Sequence, residues 1–577
     1  MKRTLVFGTL VMILCYLLCS HSVASDAEKQ LFERQSTSDL PEPPVVASPH
    51  AGVSNDALIV AAGAHFPTPL FENGEEVKAD DVKSKRSFGF IEYGVLLLYF
   101  AGMIWIGFYF SKREKTTDDF FLAGRRIPWW AAGLAIYSTQ LSAITYMAIP
   151  AKTFATDWVY YPANQCIVLV APVVVFLYLP YIRKFISTSV YEYLEKRFNL
   201  AVRLFGTSAY ILMQMGRMAI QLFLPAIAVT EISGLNIYIA ILLMGIITMG
   251  YCYLGGIEAV IWNDVIQSIV LLGGALLSIL VICLKVDGGF FGIISIGMEN
   301  HKFHMANWTW DWTTKALAFW AVVLGNFFNQ LVPYTSDQTV VQRYLTVKDE
   351  KQAAKSIWTN AVVTIPSSLI FFGLGTALFV FYKTYPSHLD SSIKPDAIVP
   401  FFIAQELPVG IAGIVVAGLL AAAMSTYSGG VNSVTAAIMT DFYRRFKANP
   451  SEKTCLKLAR IITLILGIVM IGVAFLMAST EIESLWDVGI QVVGLFGGSL
   501  AGLFALGLFT RRANGVGSLI GAITGAIAQF LVQRFTNINF FLYGAVGFLT
   551  CFFVGYLASI LIPAKQRPID EVAIKTH

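Results

Sequence analysis

The sequence is poor in charged residues. They make up 14% of its 577 residues, where an average soluble domain has about 25%, and 56% of the residues are hydrophobic. This composition excludes an ordinary soluble globular protein and predicts a chain that crosses a lipid bilayer many times. The formal net charge is only +4, so no strongly acidic partner, nucleic acid included, is indicated.

Recognisable cysteine and metal motifs are missing. The seven cysteines show no CxxC or CxxH spacing, which indicates neither a zinc site nor a disulfide framework. No apolar segment contains a recognisable nucleophile, general base or metal-binding set, so the sequence predicts that the protein is not an enzyme. Repeated selectivity-filter sequences are missing as well, which disfavours an ion channel.

The first 86 residues differ from the rest. Residues 1–25 place Lys2 and Arg3 before an apolar run and end in small residues, as in a signal peptide; an uncleaved N-terminal helix is the alternative. Residues 26–86 are polar and are predicted to form an extracytoplasmic linker. Within them, residues 50–67 resemble the opening strand of a kelch-type sialic acid mutarotase, although a chance strand of small residues has the same pattern. A propeller needs about four blades or more, so mutarotase activity is expected to be absent.

From Phe88 onward, apolar segments alternate with short polar loops. Each segment is long enough to cross a bilayer, which predicts an all-α polytopic membrane protein with about 13 transmembrane helices. The segments centre on residues 89–110, 127–150, 158–181, 200–230, 235–253, 257–284, 314–340, 356–382, 400–441, 456–478, 484–509, 514–533 and 539–562.

Basic residues are concentrated in alternate loops between these segments. Because cytoplasmic loops are enriched in Lys and Arg, these loops are predicted to be cytoplasmic, with the N-terminal segment outside and the C-terminus inside. The residues counted on this side are Lys112, Arg113, Lys115, Arg125, Arg126, Arg183, Lys184, Lys196, Arg197, Arg343, Lys348, Lys351, Lys355, Arg444, Arg445, Lys447, Lys453, Lys457, Arg511 and Arg512.

Small polar residues interrupt the 127–150 segment. Ser138, Ser142 and Thr145 have spacings of four and three, so they share one face of a helix. Hydroxyls at this depth indicate a packed helix contact, a water-lined cavity, or a break in the helix where carbonyls face an ion.

The 400–441 segment would be about 60 Å long as a single helix, which is too long for one crossing, so a bend is predicted near Pro408. Ser425 and Ser428 share a face of this segment, with Thr426 beside them. The pattern fits close helix packing. It fits equally well a site where hydroxyls and carbonyls replace the hydration shell of a hard cation.

Two ionisable residues, Arg217 and Asp264, lie well inside apolar segments, where charge is expensive and usually functional. Arginine binds carboxylates bidentately, so Arg217 is a candidate clamp for an anionic substrate. The alternative is a structural pair with Asp264 or with a backbone carbonyl. Asp264 is in turn either a cation ligand or a structural partner.

Two motifs resemble the signatures of the sodium:solute symporter family: GGIEAVIWNDVIQ at residues 255–267 and AAAMST at residues 421–426. The likeness extends from about Phe88 to Lys565. Within the family it looks most like the bacterial sialic acid transporters. The stretches that carry this closer likeness are 141–145, 149–152, 157–158, 285–289, 337–338, 341–344 and 564–566.

The resemblance implies a LeuT-type fold with two inverted five-helix repeats, at about 127–284 and 314–509. It implies sodium-coupled import of sialic acid (N-acetylneuraminate or a related sugar acid) through a bacterial inner membrane. A neutral sugar or another organic solute is the alternative cargo. Residues 87–565 would form the symporter domain, and residues 566–577 a cytoplasmic tail.

The resemblance also implies the ligands of a sodium ion (Na⁺). Carried over by position, the site falls on the carbonyls of Ser138, Leu141 and Ala422 and on the hydroxyls of Ser425 and Thr426.

The implied substrate site uses Ser142, Thr145, Tyr160, Asn164 and Arg217, with Arg217 and the two hydroxyls on the substrate carboxylate. Asn164 stands where the family has glutamine and is one methylene shorter.

A second sodium site, found in some sialic acid transporters, would use Asp264, Ser425, Ser428 and a further serine. That last position is Gly429 here, so one hydroxyl of the set is missing.

Overall fold

The computed structural model describes residues 88–313, 317–389, 393, 395–479 and 482–563. The predicted signal peptide, the linker with its kelch-like strand and the tail at 566–577 lie outside the described residues and stay predictions. The described chain is almost entirely helical. Its α-helices are α1 (Phe90–Ser111), α2 (Thr117–Leu122), α3 (Trp129–Gln140), α4 (Ala143–Ala155), α5 (Tyr161–Val173), α6 (Leu179–Phe185), α7 (Glu192–Arg197), α8 (Leu200–Ser233), α9 (Ile237–Lys285), α10 (Gly289–Glu299), α11 (Phe319–Thr335), α12 (Gln338–Leu345), α13 (Glu350–Thr384), α14 (Ile398–Glu406), α15 (Ile411–Ala437), α16 (Arg444–Phe446), α17 (Glu452–Ser479), α18 (Ile482–Phe509), α19 (Gly515–Phe535) and α20 (Tyr543–Leu561).

Every predicted apolar segment overlaps at least one of these helices. Within the described residues, nine helices are long and apolar enough to cross a membrane, judged by length and composition. The two segments predicted at 235–253 and 257–284 are the two arms of α9, which meet at a kink where Gly256 is non-helical, with φ of 50° and ψ of −149°. A Cβ atom on Gly256 would lie 2.7 Å from the carbonyl oxygen of Phe120, so the bend and the close approach of α2 both require glycine. The count of thirteen crossings stays a prediction.

Three of the predicted segments are broken into two helices each. The 127–150 segment divides into α3 and α4, and the 314–340 segment into α11 and α12. The 400–441 segment divides into α14 and α15, with Gly410 at φ of 81° before α15, so the bend predicted near Pro408 is confirmed. Breaks leave backbone carbonyls and amides without helical partners, which makes them available to ligands.

Helix α15 lies at the centre of the bundle. Every residue from Ala421 to Ala437 is buried, and the helix packs against α1, α3, α8, α9 and α17. Small residues allow this close packing, because a Cβ atom on Gly418 would lie 3.2 Å from the Cα of Leu271 in α9. The hydroxyls of α15 are therefore held inside the protein rather than at a lipid-facing surface.

Two of the basic residues assigned to loops are buried in helices instead. Arg197 lies in α7 and is 2% exposed, and Arg343 lies in α12 with its side chain fully buried. The error at Arg343 has a physical reason: the predicted segment ended at residue 340, and the second half of a broken helix is too short and too polar to be recognised as part of an apolar segment.

A buried carboxyl, Glu114, lies in the linker between α1 and α2. The side chain is buried, and within the described residues neither of its oxygens has a hydrogen-bond partner. Burial, followed by repulsion from Glu258 and Asp119, raises the pKa of Glu114 from its ordinary 4.5 to about 8, although Arg126 and Arg460 oppose the shift. The folded protein therefore binds more protons than the unfolded chain between these two values.

We expect this carboxyl to destabilise the protein as the pH rises from about 5 to 8, since proton uptake favours the folded state only below its raised pKa. The Glu114→Gln variant lacks this titrating carboxyl. The difference in free energy of unfolding between variant and parent should therefore shift in favour of the variant by about 1–4 kcal/mol from pH 5.5 to pH 8.5. Melting temperatures of the two detergent-purified proteins at both pH values measure the effect. Asp118→Asn, which removes the carboxylate of an exposed neighbour, serves as the control. A constant difference between Glu114→Gln and the parent would contradict the prediction.

Candidate functional site

The break between α3 and α4 is the geometric centre of the predicted site. Leu141 leaves the helical conformation with φ of −89° and ψ of 108°, and Ser142 then caps α4. The Ser142 hydroxyl accepts a hydrogen bond from the Thr145 amide at 3.2 Å and lies 3.1 Å from the Thr145 hydroxyl. The break in the helix is therefore confirmed, while the prediction that its carbonyls face an ion stays a prediction.

Helix α15 lies directly against this break. The Thr426 hydroxyl is 3.3 Å from the carbonyl oxygen of Thr139 and 3.2 Å from that of Ala422. The Ser138 hydroxyl is buried and has no hydrogen-bond partner among the described residues. Oxygen atoms from two helices thus converge, and hydroxyl and carbonyl oxygens are the ligands that hard cations prefer. Two of the predicted sodium ligands, the Thr426 hydroxyl and the Ala422 carbonyl, lie together at this contact, and the full set stays a prediction.

A polar cavity opens beside the break. Gln140 of α3, Thr145 of α4 and Asn164 of α5 line it together with Leu141 of the break. Ser142 is fully buried next to Thr145. Arg217 and Tyr160 are not among the described residues that line the cavity.

Arg217 approaches the same break from α8. Its Nη2 atom donates to the carbonyl of Thr139 at 3.4 Å, the carbonyl that Thr426 also contacts. Its Nη1 atom lies 3.5 Å from Oδ2 of Asp337, and the Arg217 side chain is only 12% exposed. A backbone carbonyl therefore does contact Arg217, as one alternative predicted, and the carboxylate beside it is Asp337.

Asp264 pairs with Arg343. The Arg343 Nη2 and Nε atoms donate to Oδ2 of Asp264 at 2.7 and 3.2 Å, and both side chains are fully buried. The other carboxylate oxygen accepts the Ser425 hydroxyl at 2.7 Å. A buried pair of this kind satisfies two charges that would be costly alone.

The remaining residues of the predicted second sodium site lie close by on α15. The Ser428 hydroxyl donates to the carbonyl of Ser425 at 2.9 Å. A Cβ atom on Gly429 would lie 3.0 Å from Nη2 of Arg343 and 2.9 Å from Cγ2 of Thr339. The glycine that replaces the family serine is therefore packed tightly against the guanidinium that binds Asp264.

The second broken helix resembles the first in its capping. Asp337 precedes α12 and its side chain accepts from the Thr339 amide at 2.8 Å, as Ser142 does before α4. The two breaks are also connected, because Gln140 at the end of α3 donates to the Tyr334 hydroxyl of α11 at 2.9 Å. Two helices broken in the same way, on either side of one polar cavity, are typical of transporters with inverted repeats.

Sequence reasoning missed several residues of this site. Gln330 and Asn360 line the cavity, and Asn360 also donates to Tyr334. Both are amides within predicted apolar segments, which is the signal that would have identified them. Asp337 and Arg343 lie in the stretches 337–338 and 341–344 that carry the family resemblance, but the sequence assigns them no role in the site.

Known proteins resemble this chain in sequence and in fold. A model of the sodium:solute symporter family matches residues 120–525. The chain is 38% identical over 489 residues to the sodium/sialic acid symporter SiaT of Proteus mirabilis (strain HI4320), an alignment that covers 84% of this chain and 98% of that protein. This protein belongs to the sodium:solute symporter family. The symporter is also 37% identical over 492 residues to the sodium/sialic acid symporter NanT of Aliivibrio fischeri (strain ATCC 700601 / ES114), across 85% of this chain and 97% of the relative.

Solved structures agree with this membership. A Na⁺-coupled sialic acid symporter in a substrate-bound outward-open state has a TM-score of 0.78 and 38% identity, over 83% of this chain and 100% of that chain. Mhp1, a nucleobase-cation-symport-1 family transporter, has a TM-score of 0.53 over 77% of this chain and 94% of its own; at 14% identity, it supports the fold alone. The LeuT-type fold is therefore confirmed, and this symporter is a multi-pass membrane protein whose relatives are transporters.

Proposed function

We propose that this symporter couples the entry of sodium to the import of sialic acid, either N-acetylneuraminate or a related sugar acid, by alternating access. The observation that carries the proposal is the contact of α15 with the broken helix, where Thr426 lies 3.3 Å from the carbonyl of Thr139 beside a polar cavity. The two bacterial relatives are sodium/sialic acid symporters, and their 37–38% identity supports the same pair of solutes here.

Sodium is bound where the two helices meet. The carbonyls of Ser138, Leu141 and Ala422 and the hydroxyls of Ser425 and Thr426 supply its ligands. An ion held by both α3 and α15 fixes the end of α3, and with it the break that carries the substrate-binding hydroxyls. Sodium and substrate therefore favour the same conformation, so each raises the affinity for the other.

The sugar acid occupies the adjoining cavity. Ser142 and Thr145 bond its carboxylate, Asn164 and Tyr160 contact the sugar, and Arg217 neutralises the negative charge. The guanidinium already lies within 3.4 Å of the Thr139 carbonyl at the break, which supports its role there. The substrate carboxylate takes the position at Arg217 that Asp337 holds without it.

The orientation follows from the basic loops. Without Arg197 and Arg343, the remaining Lys and Arg residues still favour one side, which we assign to the cytoplasm of a bacterial cell, with the chain in its inner membrane. The segment before α1 is then extracytoplasmic and the C-terminus cytoplasmic.

Uptake into proteoliposomes tests the proposal directly. Labelled N-acetylneuraminate should accumulate when sodium is higher outside than inside, and should not accumulate when sodium is equal on both sides. Unlabelled glucose, galactose and proline in excess test the alternative cargo, and none should compete. Equal uptake with and without the gradient would reject sodium coupling, while competition by glucose would favour a neutral sugar.

The Thr426 hydroxyl offers a sharper test of the sodium site. Thr426→Val keeps the shape of the side chain but removes the hydroxyl oxygen, so the sodium concentration for half-maximal uptake should rise about 10-fold or more. Thr426→Ser retains the hydroxyl and should remain within about two- to three-fold of the parent. If the two variants have the same sodium dependence, the hydroxyl is not a ligand.

The number of sodium ions carried with each sugar acid decides whether the membrane potential drives uptake. One sodium ion with one monovalent anion moves no net charge, whereas a second ion at Asp264, Ser425, Ser428 and Gly429 moves one charge inward, worth about 2.3 kcal/mol at 100 mV. Imposing an inside-negative potential during uptake distinguishes the two cases, because only the second is accelerated by it.

A further inference from the structure

Lys152 lies one turn beyond the cavity on α4. Thr145 and Ile149 of the same helix line the cavity, and Lys152 follows Ile149 by three residues and Thr145 by seven, so the three side chains share a face. At 1.5 Å per residue, Lys152 lies about 10 Å from Thr145 along the helix axis. It is the next side chain on this face toward the C-terminal end of α4.

Tyr160 extends the opposite wall to the same level. Asn164 of α5 lines the cavity, and Tyr160 precedes it by one turn. The Lys152 ammonium is 5.6 Å from the centroid of the Tyr160 ring, within the range of a cation–π contact. Phe540 and Phe541 support the Tyr160 ring, with centroids 6.5 and 6.0 Å away. A cation and an aromatic ring are thus in contact about one turn beyond the residues of α4 and α5 that line the cavity.

Lys152 has two acidic neighbours, Asp396 and Asp157. Asp157 and Asp396 act on the ammonium electrostatically. Both oxygens of Asp157 are already engaged, one by the Val159 amide at 3.0 Å and the other by His304 at 3.1 Å. An ammonium has three donor hydrogens, and a contact with a ring face does not use up that capacity.

We propose that Lys152 and Tyr160 form an outer subsite that receives the carboxylate of the incoming sugar acid before it reaches Ser142 and Thr145. This inference rests on the proposed function, because it assumes an anionic sugar as cargo. The ammonium attracts the carboxylate, and the ring offers a surface on which the sugar packs. The substrate then moves about 10 Å along α4 to the break.

Uptake kinetics of Lys152→Met test this subsite, since methionine keeps the apolar length of the side chain and removes its charge. At a saturating sodium gradient, the KM for N-acetylneuraminate should rise about 10-fold while Vmax stays within about two-fold. Lys152→Arg retains the charge and should stay near the parent. Lys383→Met removes an exposed charge at the C-terminal end of α13 and serves as the matched control. Its KM should be unchanged.

A carboxylate-free probe separates charge recognition from a structural role. The methyl ester of N-acetylneuraminate, used as an inhibitor of uptake, should have the same inhibition constant in Lys152→Met as in the parent. The inference would be overturned if Lys152→Met had an unchanged KM for the acid, or if it lost apparent affinity equally for acid and ester. Either result would leave sodium-driven uptake by the parent intact. A parent without sodium-driven uptake would overturn the proposed function itself. Sodium-dependent thermal stabilisation of Lys152→Met confirms that it is folded; if it is lost, Lys152→Gln replaces it.

Discussion

Replacing Asp264 with asparagine should destabilise the protein by about 3–5 kcal/mol, the usual result when one partner of a buried ion pair is removed. The reason is Arg343, whose guanidinium is fully buried and donates to Asp264 at 2.7 and 3.2 Å. Asparagine still accepts a hydrogen bond but no longer neutralises the charge. The apparent melting temperature of the detergent-purified protein, with and without sodium, measures the loss.

The matched control removes both charges at once. Asp264→Asn combined with Arg343→Met leaves no uncompensated ion, so the double variant should be more stable than Asp264→Asn alone. If the destabilisation of the double variant equals the sum of those of the two single variants, the two side chains do not act as a pair. Glu258→Gln tests a buried carboxylate of the same helix whose two partners, Arg113 at 3.0 Å and Arg126 at 3.2 Å, are exposed to solvent, and it should cost less.

Arg217→Lys should lower the affinity for N-acetylneuraminate by about 30-fold or more. Truncation of a buried, hydrogen-bonded charge partner costs roughly 2–5 kcal/mol, and lysine cannot reproduce the planar fork that binds a carboxylate. Sodium should still stabilise the variant, because the ligands predicted for the ion do not include Arg217. Binding of N-acetylneuraminate by calorimetry and a sodium-dependent thermal shift measure the two effects on one sample.

Asp337→Asn provides the opposite result for comparison. Asparagine can still cap α12 by accepting a hydrogen bond from the Thr339 amide. The substitution removes the carboxylate charge that lies 3.5 Å from Arg217. The substrate carboxylate then meets less competition, so its affinity should rise. Unimpaired binding in Arg217→Lys would remove Arg217 from the clamp role, and weaker binding in Asp337→Asn would show that Asp337 supports the site rather than competing for it.

Local pattern predicted much of this architecture. The lengths of the apolar runs predicted the segments. Two of the breaks were indicated as well, one by the small polar residues near Ser142 and one by a segment too long for a single crossing. These features are readable because helix length and membrane thickness are both set by local geometry. The α11–α12 break was missed, since the short and polar α12 offers neither signal.

What the sequence by itself determined is the membrane class, most helix positions, the family and the kind of ligand that its oxygen-rich motifs suit. What only the tertiary structure decided is which charges meet. Asp264 and Arg343 are 79 residues apart, and Arg217 and Asp337 lie on different helices. Such pairings depend on how α8, α9 and α12 pack around α15, and no local pattern carries that information. The low dielectric of the interior then makes each pairing energetically decisive.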